Sequence, residues 1–164
     1  MIDTIVFKGI EYPMFQAEGN ASQFAIPFAK LVCKGKGYDI GYSHSDWMLP
    51  GSIGIDIKDN TPYSANSLPD EIVDYIYSSH CLEHLDDWVE TLDLWLEHIK
   101  AGGVLFLYLP HFEQVYWRPW HNRQHKHVLS PEIIKCYLED SGQTKFFISE
   151  RDLNYSFMVM VEKR

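Results

Sequence analysis

The chain has 164 residues, is 46% hydrophobic and 23% charged, and carries a formal net charge of -9. That length suffices for one domain with a real core and is too short for two. The acidic balance argues against nonspecific binding to nucleic acid or to an anionic membrane. No apolar run approaches the ~20 residues of a membrane span. The N-terminal MIDTIVFKGIEYP has an early Asp and no apolar stretch of the signal-peptide kind. Cys33, Cys81 and Cys136 are odd in number and widely spaced, which suits neither a disulfide framework nor a cysteine-based zinc site. A reduced, cytoplasmic setting is expected.

In chain order, DTIVFKGIEY over 3–12 reads as two short strands joined by a Lys8-Gly9 turn, a hairpin that precedes the main fold and covers it. Residues 13–20 read as a loop. Asn20 can cap a helix through Phe24, Ile26, Phe28, Leu31 and Val32, with Pro27 tolerated only in the first turns. Asp39 and Ile40 close a first strand, and Gly41 makes the turn. Residues 46–51 have room for one helical turn at most. Ile53, Ile55 and Ile57 form a second strand with Asp56 near its end. From Lys58 to Pro69 turn formers dominate, and no full helix plus strand fits.

Ile72–Tyr77 is a β-branched and aromatic run, as a buried strand requires. Leu85, Trp88, Val89, Leu92, Trp95, Leu96 and Ile99 then recur at helical spacing. Asp86 and Asp87 suit its start, Lys100 its last turn, and Gly102-Gly103 a left-handed stop. Val104–Leu109 is apolar throughout, which means a strand buried on both faces in a parallel sheet. Strand, helix, strand makes a right-handed βαβ unit. Residues 111–127, HFEQVYWRPWHNRQHKH, form a long loop rich in aromatics and histidines. Ser130 caps and Pro131 opens a helix buried through Ile133, Ile134, Tyr137 and Leu138, and Gly142 ends it. Phe146–Ile148 and Phe157–Val161 are the last two strands.

The run DYIYSSHCLEHL, the helix after it and KAGGVLFLYLPH resemble the fourth-to-fifth-strand half of class I S-adenosylmethionine-dependent methyltransferases. HVLSPEIIKCYLEDSG resembles that family's sixth helix. The resemblance implies an α/β fold: a Rossmann-like, mostly parallel sheet with helices on both faces and the last strand antiparallel. Here the fold is shortened between the family's second and fourth strands. The whole of 1–164 is then one methyltransferase-like domain, with residues 1–20 as an N-terminal hairpin extension.

The resemblance also implies roles. Asp39 and Gly41 match the family's cofactor loop. Asp56, 17 positions after Asp39 by subtraction, matches the acid that holds the ribose, close to the ~20 expected between such a turn and such an acid. Ser43 and Ser45 stand where the family has its second and third glycines. Ile57, Asn66, Ser67 and Leu68 fall where the adenine is edged, and Ser79 and His80 lie at the carboxyl end of the fourth strand. His111 and His80 are the candidate catalytic bases. Residues 111–127 are read as an acceptor lid, with His111, Tyr116, Trp117, His121 and Arg123 binding the acceptor.

His121, His125 and His127 are spaced so that they can converge on one ion, but no carboxylate or cysteine accompanies them. No metal is therefore expected. The expected activity is methyl transfer from S-adenosylmethionine to a small-molecule acceptor, such as a sugar or an anionic metabolite, with no nucleic-acid or membrane partner. The alternative is a non-catalytic relative, a binding module or complex subunit that kept the sheet and lost the cofactor loop. Ser43 and Ser45 favour that alternative, and retention of Asp39 and Asp56 counts against it.

Overall fold

The computed structural model describes residues 3–118, 120, 121 and 124–164. Strands β1 (Thr4–Phe7) and β2 (Ile10–Pro13) form the N-terminal hairpin. Lys8 and Gly9 at its tip both have positive φ, 49° and 77°. That is the geometry a tight two-residue turn between right-twisted strands demands. A single helical turn, α1 (Phe15–Glu18), lies in the stretch read as loop.

The main sheet has six strands in the order β4-β3-β5-β6-β8-β7. These are β3 (Gly37–Ile40), β4 (Ile53–Ile55), β5 (Val73–Ser79), β6 (Ile99–Pro110), β7 (Phe146–Ile148) and β8 (Ser156–Glu162). β4, β3, β5 and β6 run parallel, and β8 pairs antiparallel with both β6 and β7. The fold class is therefore as the sequence implied.

Two-residue periodicity in the central strands divides the core. Tyr75 and Tyr77 of β5 and Phe106 and Tyr108 of β6 face one side. Ile76, Leu105, Leu107 and Leu109 face the other. On the second side pack α3 (Trp88–Glu97), through Leu92, Trp95 and Leu96, and α4 (Pro131–Asp140), through Ile134 and Leu138. Trp95 is fully buried, and its Nε1 donates to Ala65 O at 2.8 Å. Asp87 caps α3 by accepting from the amides of Val89 and Glu90, each at 3.0 Å. Ser130 caps α4 through the Ile133 amide at 3.2 Å.

The first side is covered by α2 (Ser22–Val32), but not through the face the large residues suggested. Phe28 and Leu31 are exposed, and Ala25 and Ala29 are buried. The sheet supplies bulk here as tyrosine and phenylalanine, so the helix puts small residues at the centre of the contact and packs Phe24, Ile26 and Val32 around it, because interiors fill to a fixed density. Pro27 lies inside this helix.

Three further expectations are corrected. α3 ends at Glu97, so Ile99 and Lys100 belong to β6 and not to the helix. Gly102 and Gly103 form an irregularity in that strand: pairing shifts between Val73↔Ile99 and Tyr75↔Val104. A Cβ on Gly103 would meet Asp74 O at 2.5 Å, so backbone, not a helix stop, requires this glycine. Ile57 leaves the second strand, which ends at Ile55, and its side chain is exposed.

Candidate active site

The parallel strands all end on one edge, and a cavity of about 240 Å³ opens there beyond β3 and β5. Ligands bind at the carboxyl ends of strands in open α/β sheets, because loops there splay apart and leave a crevice. Its floor holds Asp39, Gly41, Tyr77, Ser79 and His80, and one wall is made by Tyr42, Ser43 and Trp47. Trp117, Gln124 and His125, from the long loop, close the opposite side together with His84.

The loop after β3 keeps the backbone form of a glycine loop although it has lost glycines. Gly41 has φ 76°, and a Cβ there would collide with the Cys81 side chain at 2.5 Å. Ser43 has φ 58°, in the left-handed region that glycine favours. Its amide donates to Asp56 Oδ2 at 3.0 Å. Ser45 instead starts a single 3-10 turn, Ser45–Trp47, so the third glycine position has a different task here.

Asp39 is 2% exposed and accepts from the Leu49 amide at 2.7 Å. Burial pushes its carboxyl up to about 7, against the pull of that hydrogen bond. The hydroxyls of Tyr77 and Ser79 are buried at this cavity, and neither makes a hydrogen bond of good geometry. Buried polar atoms of this kind are ready for a ligand that brings its own donors and acceptors.

Asp56 stands behind Ser43, outside the cavity walls. Its carboxylate accepts from Ser43 N and, at 3.1 Å, from Lys58 N, and its own amide donates to Asp59 Oδ2 at 2.9 Å. It is thus the cap of a short 3-10 turn, Ile57–Asp59, as well as a brace for the loop. Asn66, Ser67 and Leu68 are not in the cavity walls. Asn66 Oδ1 accepts from Thr91 Oγ1 at 2.8 Å, Ser67 is exposed, and Leu68 enters the core under α3.

His80 has φ 51°, an uncommon backbone conformation for a residue with a side chain. Its Nε2 pairs with Ser156 Oγ at 2.9 Å. Burial and the neighbouring imidazoles lower its pKa to about 3, so it is neutral and a weak base. His111 is not a wall of this cavity. It is buried over Phe112 and Phe157, its Nδ1 accepts from the Glu113 amide at 3.2 Å, and it borders a separate small crevice. Phe157 and Phe112 take its ring because the apolar strand end offers them and the cavity does not.

Of the expected lid residues, Trp117 lines the cavity. Tyr116 and His121 turn instead to the hairpin. Both rings meet Phe7 edge-on, with centroids 5.0 and 5.2 Å away, and His121 Nε2 lies 3.1 Å from Lys8 Nζ. The Tyr12 hydroxyl accepts from the Val115 amide at 3.2 Å, which ties hairpin to loop. Arg123 lies outside the described residues.

Sequence reasoning weighed His125 only with His121 and His127 and gave Glu83 no part in the site. The return limb of the loop is fastened to the turn after β5. Lys126 N and His127 N donate to Glu83 O at 2.8 and 3.2 Å, and His84 Nδ1 pairs with Gln124 O at 2.9 Å. This brings His125 Nε2 to 3.8 Å from Glu83 Oε1. A carboxylate therefore does accompany a histidine of the loop, contrary to the sequence reading. The only signal for it was the pair Glu83-His84 beside an unexplained histidine cluster.

The methyltransferase-domain family profile matches residues 18–145. The chain belongs to that family. Its likeness to S-adenosylmethionine-dependent methyltransferases extends over the whole fold. A structure from Thermotoga maritima, described as an S-adenosylmethionine-dependent methyltransferase and possible histamine N-methyltransferase, is 16% identical, with 92% of this chain and 93% of that one covered and a TM-score of 0.73. A putative methyltransferase of Haloferax volcanii, solved in complex with the Trm112 methyltransferase activator, is 15% identical over 92% of each chain, with a TM-score of 0.64. The N-methyltransferase NodS of Bradyrhizobium japonicum, solved with S-adenosylhomocysteine, is 14% identical over 91% and 87%, with a TM-score of 0.60. Among curated proteins, none matches the chain. No helix among the described residues is long and apolar enough to cross a membrane.

Proposed function

We propose that this methyltransferase transfers the methyl group of S-adenosylmethionine to a small-molecule acceptor held under the 111–127 loop. The observation that carries this reading is the loop at Gly41–Ser43. It retains a glycine-like backbone, braced by Asp56, at the mouth of a cavity whose buried Tyr77 and Ser79 hydroxyls make no hydrogen bond of good geometry. A relative that had lost its cofactor would have no need of a strained Ser43, so the non-catalytic alternative loses its main support.

The residues present suit the cofactor. Asp39 offers a buried acceptor, Ser79 and Tyr77 offer buried hydroxyls without a hydrogen bond of good geometry, and Asp56 lies just behind the rim where a ribose would be met. When bound, the cofactor supplies a methyl on a sulfonium, a carbon already activated toward displacement. The protein then needs no nucleophile of its own. Its tasks are to align the acceptor and to exclude water. Trp117 and His125 stack at 6.1 Å, 28° apart, and form the wall that would do both. An acceptor proton would not be drawn far by His80, which burial keeps a weak base.

Calorimetry with S-adenosylmethionine and S-adenosylhomocysteine tests the cofactor reading. Binding of both, lost together when Gly41 is replaced by valine in a folded variant, is the expected result. Absence of binding at millimolar concentration would overturn it.

A further inference from the structure

Glu83 is fully buried, and neither of its carboxylate oxygens has a hydrogen-bond partner. Its surroundings are not apolar. His80 Nδ1 and His84 Nε2 lie 3.7 Å from Oε1, and His125 Nε2 lies 3.8 Å from it. Three imidazole nitrogens thus point at one oxygen, each too far for a hydrogen bond. A buried carboxylate left so is costly, whether charged or neutral.

We propose that Glu83, His84 and His125 form a binding site for a divalent cation of the zinc type, with His80 facing the same oxygen from the cavity side. The ligand atoms of Glu83, His84 and His125 all lie within 4.8 Å of one another. Ligands about 2.0–2.2 Å from a tetrahedral ion stand roughly 3.4 Å from each other. The two carboxylate–imidazole separations, 3.7 and 3.8 Å, therefore need to contract by only a few tenths of an ångström around an ion, and the two imidazole nitrogens start within 4.8 Å of each other.

The imidazoles are already oriented for it. His84 Nδ1 is engaged with the Gln124 carbonyl, which fixes its proton there and leaves Nε2 as a lone pair toward Glu83. That is the arrangement by which an outer carbonyl orients a metal-ligating histidine. Burial, reinforced by the neighbouring imidazoles, keeps His80 and His125 neutral, whereas burial raises Glu83 to about 8, so the proton that an ion would displace is the one on the carboxyl. Two imidazoles with one carboxylate suit zinc, cobalt or nickel, whereas magnesium and calcium prefer all-oxygen sites. His80, His84 and His125 all line the cavity, so the proposed site lies next to it. The inference deepens the methyltransferase reading, since the ion would sit in the acceptor wall, but its site stands on these side chains alone.

The test is zinc titration calorimetry on the full chain after chelator treatment, with magnesium as the comparison ion. Wild type should bind zinc tightly and magnesium at least about a hundredfold more weakly. Glu83→Gln, which keeps the volume, and His125→Ala should each weaken zinc at least about tenfold. His98→Gln, at the end of α3, should not. Zinc should also raise the wild-type Tm and a chelator reverse the rise. No zinc binding by wild type, equal binding by Glu83→Gln, or equal affinity for magnesium would overturn the proposal. Should His125→Ala fail to fold, Glu83→Gln and the ion comparison still decide. S-adenosylhomocysteine binding, measured with and without zinc, separates the two readings. Cofactor binding without zinc binding sinks the metal site alone, and zinc binding without cofactor binding sinks the methyltransferase reading alone.

Discussion

The Ser43 amide donates to Asp56 Oδ2 at 3.0 Å, so the acid at the end of β4 braces the loop at the end of β3. The two strands are hydrogen-bonded neighbours, and the bond ties their two loops together at the cavity mouth. Asp56 has structural work apart from any ribose. Asp56→Ala should therefore lower stability by about 1–2 kcal/mol, the usual cost of a lost cap. It should also weaken S-adenosylhomocysteine by about 1.5–3 kcal/mol, the scale for a charged acceptor. Urea unfolding and calorimetry on the same variant read both. Normal affinity with reduced stability would reduce Asp56 to a brace.

Ser43 should tolerate glycine. A side chain in the left-handed region costs roughly 1–2 kcal/mol, and glycine returns part of that through its freer unfolded state, roughly 0.4–1 kcal/mol. Ser43→Gly is expected to be neutral or to stabilise by up to about 1 kcal/mol while cofactor affinity holds. Ser43→Val should destabilise by more than 1 kcal/mol, because β-branched residues resist this conformation most. A glycine variant that unfolds more easily than wild type would show that the serine hydroxyl, and not the backbone, is what the loop needs.

These loops mark where the sequence stops speaking. Strand and helix patterns on β5, α3, β6 and α4 were legible because apolar periodicity is local and both faces of the sheet are covered, although Ile133, read as part of the buried face of α4, is exposed. The buried face of α2 was not legible. Its choice of Ala25 and Ala29 over Phe28 and Leu31 answers tyrosines that arrive from β5 and β6. The end of α3 was misplaced because Gly102-Gly103 looks the same as a helix stop and as a strand irregularity. Asp39, Gly41, Ser79 and His80, singled out through the family resemblance, all line the cavity at the strand ends. Glu83 and His125 meet only through the fastening of loop to turn, with all of α3 and β6 between them in sequence, so no spacing announces them.

Asp39 gives stability a pH dependence of definite sign. Its folded pKa is raised from 3.8 to about 7 by burial. The folded state therefore holds this proton where the unfolded chain has released it. The contribution is full below about pH 4 and is lost as pH rises toward 7, on the order of 2–4 kcal/mol. His80 and His125, with lowered pKa values, act oppositely and cost stability as pH falls below their ordinary range. The wild-type profile mixes the two, so the difference from Asp39→Asn is the measurement. Urea unfolding from pH 4 to 8 should show wild type losing ground steadily to Asp39→Asn up to about pH 7. A constant difference would mean that Asp39 ionises as freely folded as unfolded.

A change at Trp117 is expected to separate acceptor binding from cofactor binding. It lines the cavity from the loop side and stacks on His125, while the residues suited to the cofactor lie on the strand side and in the loop at Gly41. Its amide is held by Gln114 Oε1 at 2.7 Å, a backbone bond that an alanine keeps. Trp117→Ala should therefore leave the loop anchored through Gln114 and through Lys126 and His127 on Glu83 O. It removes only an aromatic wall, whose loss admits water and frees the acceptor. Turnover should fall at least about tenfold, the scale on which misplacing an acceptor acts. S-adenosylhomocysteine affinity should stay within about threefold, since an alanine here takes nothing from the strand-side walls. Calorimetry on the variant needs no acceptor and can be done first. A large loss of S-adenosylhomocysteine affinity would assign this loop to the cofactor and move the acceptor site elsewhere on the edge.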